Sequence, residues 1–186
     1  QNSVPKGQGG MVAVLGSTVE AIEKLLKDNQ NDIKVQIAND NSEGQIVLSG
    51  KIEELDKLII ILKEKSIKNI KLPVSAPFHC SLMSKATNIM SEELNKLSFL
   101  QSENKLISNV TANEIRDTDE LKDLLIKQIE NRVRWRESVI NMINNDVNHF
   151  IEIGPGKVLS GLVKRINREV KISTINNQGD IESLEI

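Results

Sequence analysis

The sequence predicts an α/β protein built from two unlike parts. Three observations carry that expectation. Residues from 10 to about 74 run in the order β-α-β-β-α-β, the split-βαβ or ferredoxin-like pattern. The two helices of that stretch are long and periodic. Beyond about residue 76, strands alternate with helices, as in a parallel, layered sheet.

The elements follow in chain order. "GMVAVLG" is a short apolar run bounded by glycines and reads as a strand. "STVEAIEKLLKD" reads as a helix with Ser17 as N-cap and Glu20 closing a capping box. Val19, Ile22, Leu25 and Leu26 share one of its faces. "IKVQIA" alternates as a strand, "NDNSEG" is a turn cluster, and "QIVLSG" is the next strand. "KIEELDKLIIILKEKS" is an amphipathic helix with Ile52, Leu55, Leu58, Ile59 and Leu62 inward. "IKNIKLPV" is the fourth strand.

In the second part, "SLMSKATNIMSEELNKL" is a helix and "KLISNV" a buried-type strand. "TDELKDLLIKQIENRV" and "WRESVINMINN" are helices parted around residues 131–134. "VNHFIEIG", "PGKVLSGLVKRIN" and "VKISTIN" complete the chain as strand, helix and strand. Three strands make a poor sheet, and parallel sheets are covered on both faces. The second part is therefore expected to belong to a larger sheet. The opening "QNSVPKGQGG" lacks a Met and reads as a linker, so a preceding part is expected.

Bulk properties narrow the function. The 186 residues are 39% hydrophobic and 27% charged, an ordinary globular balance for one large domain or two small ones. A net charge of −2 gives no electrostatic basis for binding nucleic acid or an anionic membrane. Tyrosine is absent, and three Phe and one Trp offer few stacking platforms for single-stranded RNA. A single cysteine cannot form an internal disulfide, which points to a reducing cytoplasm. No apolar run reaches the length of a membrane span.

The chemistry concentrates in "LPVSAPFHCSLM", from Leu72 to Met83. Pro73 and Pro77 hold the backbone extended ahead of His79. That sets an imidazole on a rigid loop at a helix mouth, as a general base or as a capping, half-buried structural histidine. Position alone leaves both open. His149 begins a strand and reads as structural. Cys80 adjoins His79, but neighbouring side chains diverge and free cysteine is commonly buried, so it reads as structural. "IEIGPGKVLSGL" could attract an anion at its helix start. It lacks the spacing of a phosphate loop, and a tight turn with Lys157 solvated is the better reading. Asn39 and Asn41 lie in an expected inter-strand connection, as turn formers or as two amides bonding a ligand in a cleft. No Gly-x-Ser-x-Gly elbow occurs. Ser160 falls within a helix and Ser17 caps one, so neither is an activated nucleophile. No metal site is expected.

In order, "VPKGQGGMVAVLG", "NDNSEGQIVLSG", "LPVSAPFHCSLM", "LLIKQIENRVRWRESV" and "IEIGPGKVLSGLVKRI" resemble the malonyl-CoA:acyl carrier protein transacylase family across essentially the whole chain. The resemblance implies a ferredoxin-like small subdomain, residues 1–75, inserted into an α/β-hydrolase-like acyltransferase domain. Residues 76–186 would be the C-terminal part of that domain. It implies ping-pong transfer of malonyl from coenzyme A through an elbow serine to the phosphopantetheine thiol of acyl carrier protein, in fatty-acid biosynthesis. His79 matches the base that activates the serine. Gln128 matches the residue whose backbone carbonyl orients that base, and Asn39 and Asn41 match asparagines lining the cleft. The substrates are malonyl-CoA and phosphopantetheinylated carrier protein, with no cofactor and no metal. The elbow serine, the oxyanion-hole donors and the arginine gripping the malonyl carboxylate lie upstream in the family and are not in this sequence. The chain is thus expected to be an incomplete acyltransferase, inactive alone, with its N-terminal part in the same polypeptide or in a separate one. The alternative is a non-catalytic remnant or carrier-protein-binding module of the same fold.

Overall fold

The computed structural model describes residues 3–184. Gln1 and Asn2 of the expected linker lie outside the described residues.

The first part follows the expected order. β1 (Gly9–Leu15), α1 (Val19–Asp28), β2 (Gln36–Ser42), β3 (Gln45–Lys51), α2 (Ile52–Glu64) and β4 (Lys68–Lys71) succeed one another. The strands form one antiparallel sheet in the order β2-β3-β1-β4. Strand pleating sends alternate residues to opposite faces. Val12 and Val14 of β1, with Ile46 and Leu48 of β3, meet Ile22 and Leu25 of α1 and Leu55, Leu58 and Leu62 of α2. Ile59 and Leu26 pack against this core only partly buried. The opposite face carries Met11, Ala38 and Val47, covered by Leu72 and Phe78.

Several boundaries depart from the sequence reading. The cap of α1 is Thr18, whose Oγ1 accepts the Ala21 N–H at 3.2 Å. Ser17 is one residue too early, and Glu20 falls short of the third helical position that a capping box uses. β2 starts at Gln36 and continues through Asn39, Asp40, Asn41 and Ser42, which were expected to form a turn. Two register shifts bend it, and only Glu43 and Gly44 remain for the hairpin. Gly44 supplies the positive φ of +71° there.

The second part opens with a 3-10 turn over Ser81–Met83, then α3 (Ser84–Asn95), α4 (Thr118–Lys127) and α5 (Trp135–Asn144). β5 (His149–Ile153), α6 (Val158–Ile166), β6 (Lys171–Ile175) and a short α7 (Gln178–Glu182) complete it. The strand expected at "KLISNV" does not form. Ile107 makes one bridge to Glu114, and the Ser108 hydroxyl accepts the N–H groups of Val110 and Thr111 and turns the chain. A strand without a neighbouring ladder gives way to such local bonds.

β5 and β6 pair in parallel as a two-stranded sheet. Phe150 and Ile172 face α5 and α6 and pack around Val139, Val163 and Val170. On β5, Ile151 and Ile153 alternate to the other side, and Ile153 is 78% exposed. Val158, at the start of α6, is 72% exposed. No helix among the described residues is long and apolar enough to cross a membrane.

Two outcomes follow from this packing. Leu58 is fully buried, so Leu58→Ala should lower unfolding free energy by about 2–5 kcal/mol, read by denaturant titration. The 186-residue chain should bind a hydrophobic dye or self-associate through its uncovered apolar surface. A cleanly monomeric, dye-silent chain would contradict that expectation.

Candidate active site

The loop between β4 and the 3-10 turn holds His79 in a conformation that its sequence does not favour. His79 has φ +58°, in the left-handed region that is uncommon for a residue with a Cβ. Neighbours hold it there on both sides. Pro77 is buried against Gly9, where any Cβ would stand 2.4 Å from the Pro77 ring. Phe78 packs on the sheet core. Cys80 is 1% exposed and its thiol donates to the Pro77 carbonyl at 3.2 Å. The cysteine is thus a structural tie within the loop.

The half-buried His79 ring lies with its Nδ1 2.8 Å from the backbone carbonyl oxygen of Gln128. Gln128 is the C-cap of α4, where the last carbonyls have no helical partner. An Nδ1–H donated there caps the helix and leaves Nε2 as the ring's acceptor. The Gln128 side chain is engaged elsewhere, donating from Nε2 to the Asn131 carbonyl at 3.1 Å. The contact to His79 is therefore a main-chain one. A hollow of about 370 Å³ beside the ring is lined by Gln36, Ile37, Glu130, Asn131, Arg132 and residues of α1.

Asn39 and Asn41 sit on β2, half-buried, and not in a loop. They lie outside the residues lining the His79 hollow. The pleat turns Ala38, Asp40 and Ser42 to the buried side. His149 contacts the Ser173 hydroxyl through Nε2 at 2.9 Å across the β5–β6 pair. The Gly-Pro-Gly turn also behaves structurally. Glu152 accepts the N–H groups of Leu159 and Ser160 at 3.1 and 2.7 Å, so the chain's own carboxylate fills the start of α6. Among the described residues, no cluster of ligands fit for a metal ion occurs.

Charged residues that the sequence reading passed over stitch the two parts together. Arg136 places Nε 3.0 Å from both carboxylate oxygens of Asp40 and Nη2 2.8 Å from one of them. Asp40 is 1% exposed. Arg132 spans Glu23 of α1 at 3.2 Å and Glu137 of α5 at 3.6 Å. Arg134 also bonds Glu137. The run "RVRWRE" carried this signal: three arginines at every second position concentrate positive charge around the start of α5.

No family model matches the chain. Over 182 residues, 97% of its length, it is 40% identical to the malonyl CoA-acyl carrier protein transacylase of Bacillus subtilis (strain 168). Its structure superposes with a TM-score of 0.93 on that of a malonyl CoA-acyl carrier protein transacylase from Clostridium perfringens, at 40% identity over 98% of this chain. A type II polyketide-synthase acyl-carrier protein in complex with its malonyl-transacylase also matches, with TM-score 0.91 and 31% identity over 98% of this chain. The chain spans 57% of the Bacillus protein, 58% of the Clostridium chain and 60% of the third. Nearly all of this sequence is therefore matched, and about three-fifths of each relative.

The Arg134–Glu137 pair predicts a pH dependence. The hydrogen bond from Arg134 holds the Glu137 carboxyl below its ordinary value, against an opposing effect of burial. A depressed carboxyl contributes stability above its unfolded-state pKa, and loses it as pH falls through the folded value. Glu137→Gln should therefore reduce the drop in urea midpoint between neutral and acid pH. An unchanged drop would remove Glu137 as a contributor.

Proposed function

We propose that this chain supplies the general base of a malonyl-CoA:acyl carrier protein transacylase, an acyltransferase of fatty-acid biosynthesis. The nucleophilic serine would come from a segment outside these 186 residues. The 2.8 Å contact between His79 Nδ1 and the Gln128 carbonyl carries the reading. A general base needs one ring nitrogen held by an acceptor so that the other presents its lone pair.

The proposed chemistry runs in two halves. His79 Nε2 takes the proton of the serine hydroxyl as its oxygen attacks the malonyl thioester carbonyl. The tetrahedral intermediate collapses, coenzyme A leaves as the thiol, and His79 returns the proton to its sulfur. The phosphopantetheine thiol of the carrier protein then gives its proton to His79 and attacks the malonyl-serine ester. Collapse restores the serine hydroxyl with that proton. The acyl group moves from thioester to ester to thioester, so the sequence draws on no cofactor. Asn39, which bridges Val133 at the β2 edge, and Asn41 are proposed to face the substrate cleft.

The finer architecture belongs to the same reading. The β2-β3-β1-β4 order supports a ferredoxin-like small subdomain over residues 1–75. The parallel β5–β6 pair, with Ile151 and Ile153 exposed on the side away from Phe150 and Ile172, supports residues 76–186 as the C-terminal part of an α/β-hydrolase-like domain. Further strands, in the same or a separate chain, would cover it. Acyl carrier protein and a coenzyme A thioester are the proposed partners. A free, buried Cys80 suits a reducing cytoplasm.

The test is malonyl transfer to purified carrier protein. In the complete enzyme, His79→Ala should lower kcat by about 10²–10⁴-fold, the range for loss of a general base. Gln128→Ala should do far less, because the carbonyl remains. Equal damage from both would overturn the main-chain role. The 186-residue chain alone should show no turnover. Covalent malonylation of that chain on a serine or on Cys80 would overturn the proposal of an external nucleophile.

A further inference from the structure

Both members of the His79–Gln128 contact are tied to one strand. At the start of β2, Gln36 Oε1 accepts the Ser81 N–H and the Ser81 hydroxyl, each at 2.8 Å. Ser81 follows His79 by two residues. Further along β2, the Val133 N–H donates to the Ala38 carbonyl at 2.8 Å, and the Asp40 N–H donates to the Val133 carbonyl at 2.9 Å. The Asp40 carboxylate then receives Arg136.

Little slack separates Val133 from Gln128. The Asn131 N–H and Nδ2 both donate to the Lys127 carbonyl, at 3.0 and 2.6 Å. The Gln128 side chain closes on the Asn131 carbonyl. The segment is a closed turn whose far end is paired to β2. By contrast, His79 and Gln128 are separated by 49 positions along the chain, a path that includes α3 and the irregular stretch before α4. A route of that length does not fix a contact to a few tenths of an ångström.

We infer that β2 is the element that sets the His79–Gln128 distance, with Gln36 and Asp40 as positioning residues for the base. Gln36 holds the histidine's loop and Asp40 holds the carbonyl's segment, so both are registered on the same backbone. The catalytic meaning of that contact rests on the function proposed above; the placement does not. The left-handed backbone at His79 persists only where its surroundings over-determine it, and the Gln36 strap is one of those surroundings.

The measurement is hydrogen–deuterium exchange at the imidazole C2 carbon, followed by mass spectrometry on the full 186-residue chain. The sequence has two histidines, and His149 serves as the internal control. Gln36→Ala should speed exchange at His79 by about fivefold, the shift that one typical net hydrogen bond carries, and leave His149 unchanged. Gln36→Glu keeps the acceptor and should restore the slow rate. Asp40→Asn, which weakens the grip on Arg136, should act in the same direction. Amide exchange in α2 reports whether each variant is folded. An unchanged His79 rate in folded Gln36→Ala overturns the inference. Faster exchange at both histidines together with lost protection of α2 overturns it too, since Gln36 would then be merely structural. None of these readouts requires transfer activity. Absence of turnover in the complete protein would sink the functional reading without altering the exchange result.

Discussion

A carboxyl group buried in a protein interior demands a partner, and the partner of Asp40 lies 96 residues away. Asp40 sits at the middle of β2, on a strand whose other inward residues are Ala38 and Ser42. Its burial obliges Arg136, and with it the start of α5, to rest on the edge of the small sheet. Removing one member of a buried pair typically costs about 3–5 kcal/mol, and the partial exposure of Arg136 places this pair toward the lower end. The Val133 bridge extends the same junction by main-chain pairing. Arg132 adds a looser tie to Glu23, where more of the pair is in water and less is gained. Asp40 thereby anchors the segment on the Gln128 side of the His79 contact.

The sequence disclosed the parts of the fold that burial alone decides. Leu55, Leu58 and Leu62 recur at helical spacing, and all three are buried. Val12 and Val14 alternate on β1, as one buried sheet face requires. It failed where polar residues compete for more than one role. Ser17 and Thr18 are both capable caps, and the choice rests on where the backbone leaves the extended region, which neighbouring residues do not reveal. Asn39 to Ser42 have the composition of a turn, yet they form a strand because β3 and the Val133 segment satisfy them from both sides. "KLISNV" has the composition of a strand, yet only one bridge forms. In the first case pairing partners distant in sequence overrode local preference; in the second no neighbouring ladder formed, and the local bonds to Ser108 prevailed.

The site shows the same division. His79 stood out because prolines frame it and histidines are scarce. Its acceptor did not stand out by any local signal, since a backbone carbonyl has no residue type; only the family resemblance pointed to Gln128. Gln36 was hidden for a related reason. An exposed glutamine on an edge strand has no distinguishing pattern, and its significance arises from accepting two bonds from Ser81, 45 residues later. Charge alternation in "RVRWRE" was visible, but its meaning depended on the buried carboxylate across the junction.

The contact to Gln128 also explains why a main-chain acceptor suits this position better than a side chain. A carboxamide can rotate and can offer either end, so it holds an imidazole in one tautomer only if its own orientation is fixed. The carbonyl at the C-cap of α4 has neither freedom. Its direction is set by the helix, and as an acceptor it admits only the Nδ1-protonated form of the neutral ring. The end of a helix also carries partial negative charge, which faces an imidazole that becomes cationic whenever it accepts a proton. The helix would be left with an unsatisfied carbonyl without the histidine, and the histidine would be left without a defined tautomer without the helix. The largely half-buried turn 128–131 is therefore constrained at both ends, by α4 before it and by β2 after it. The placement of the imidazole is then a property of the sheet edge as well as of the loop that carries it.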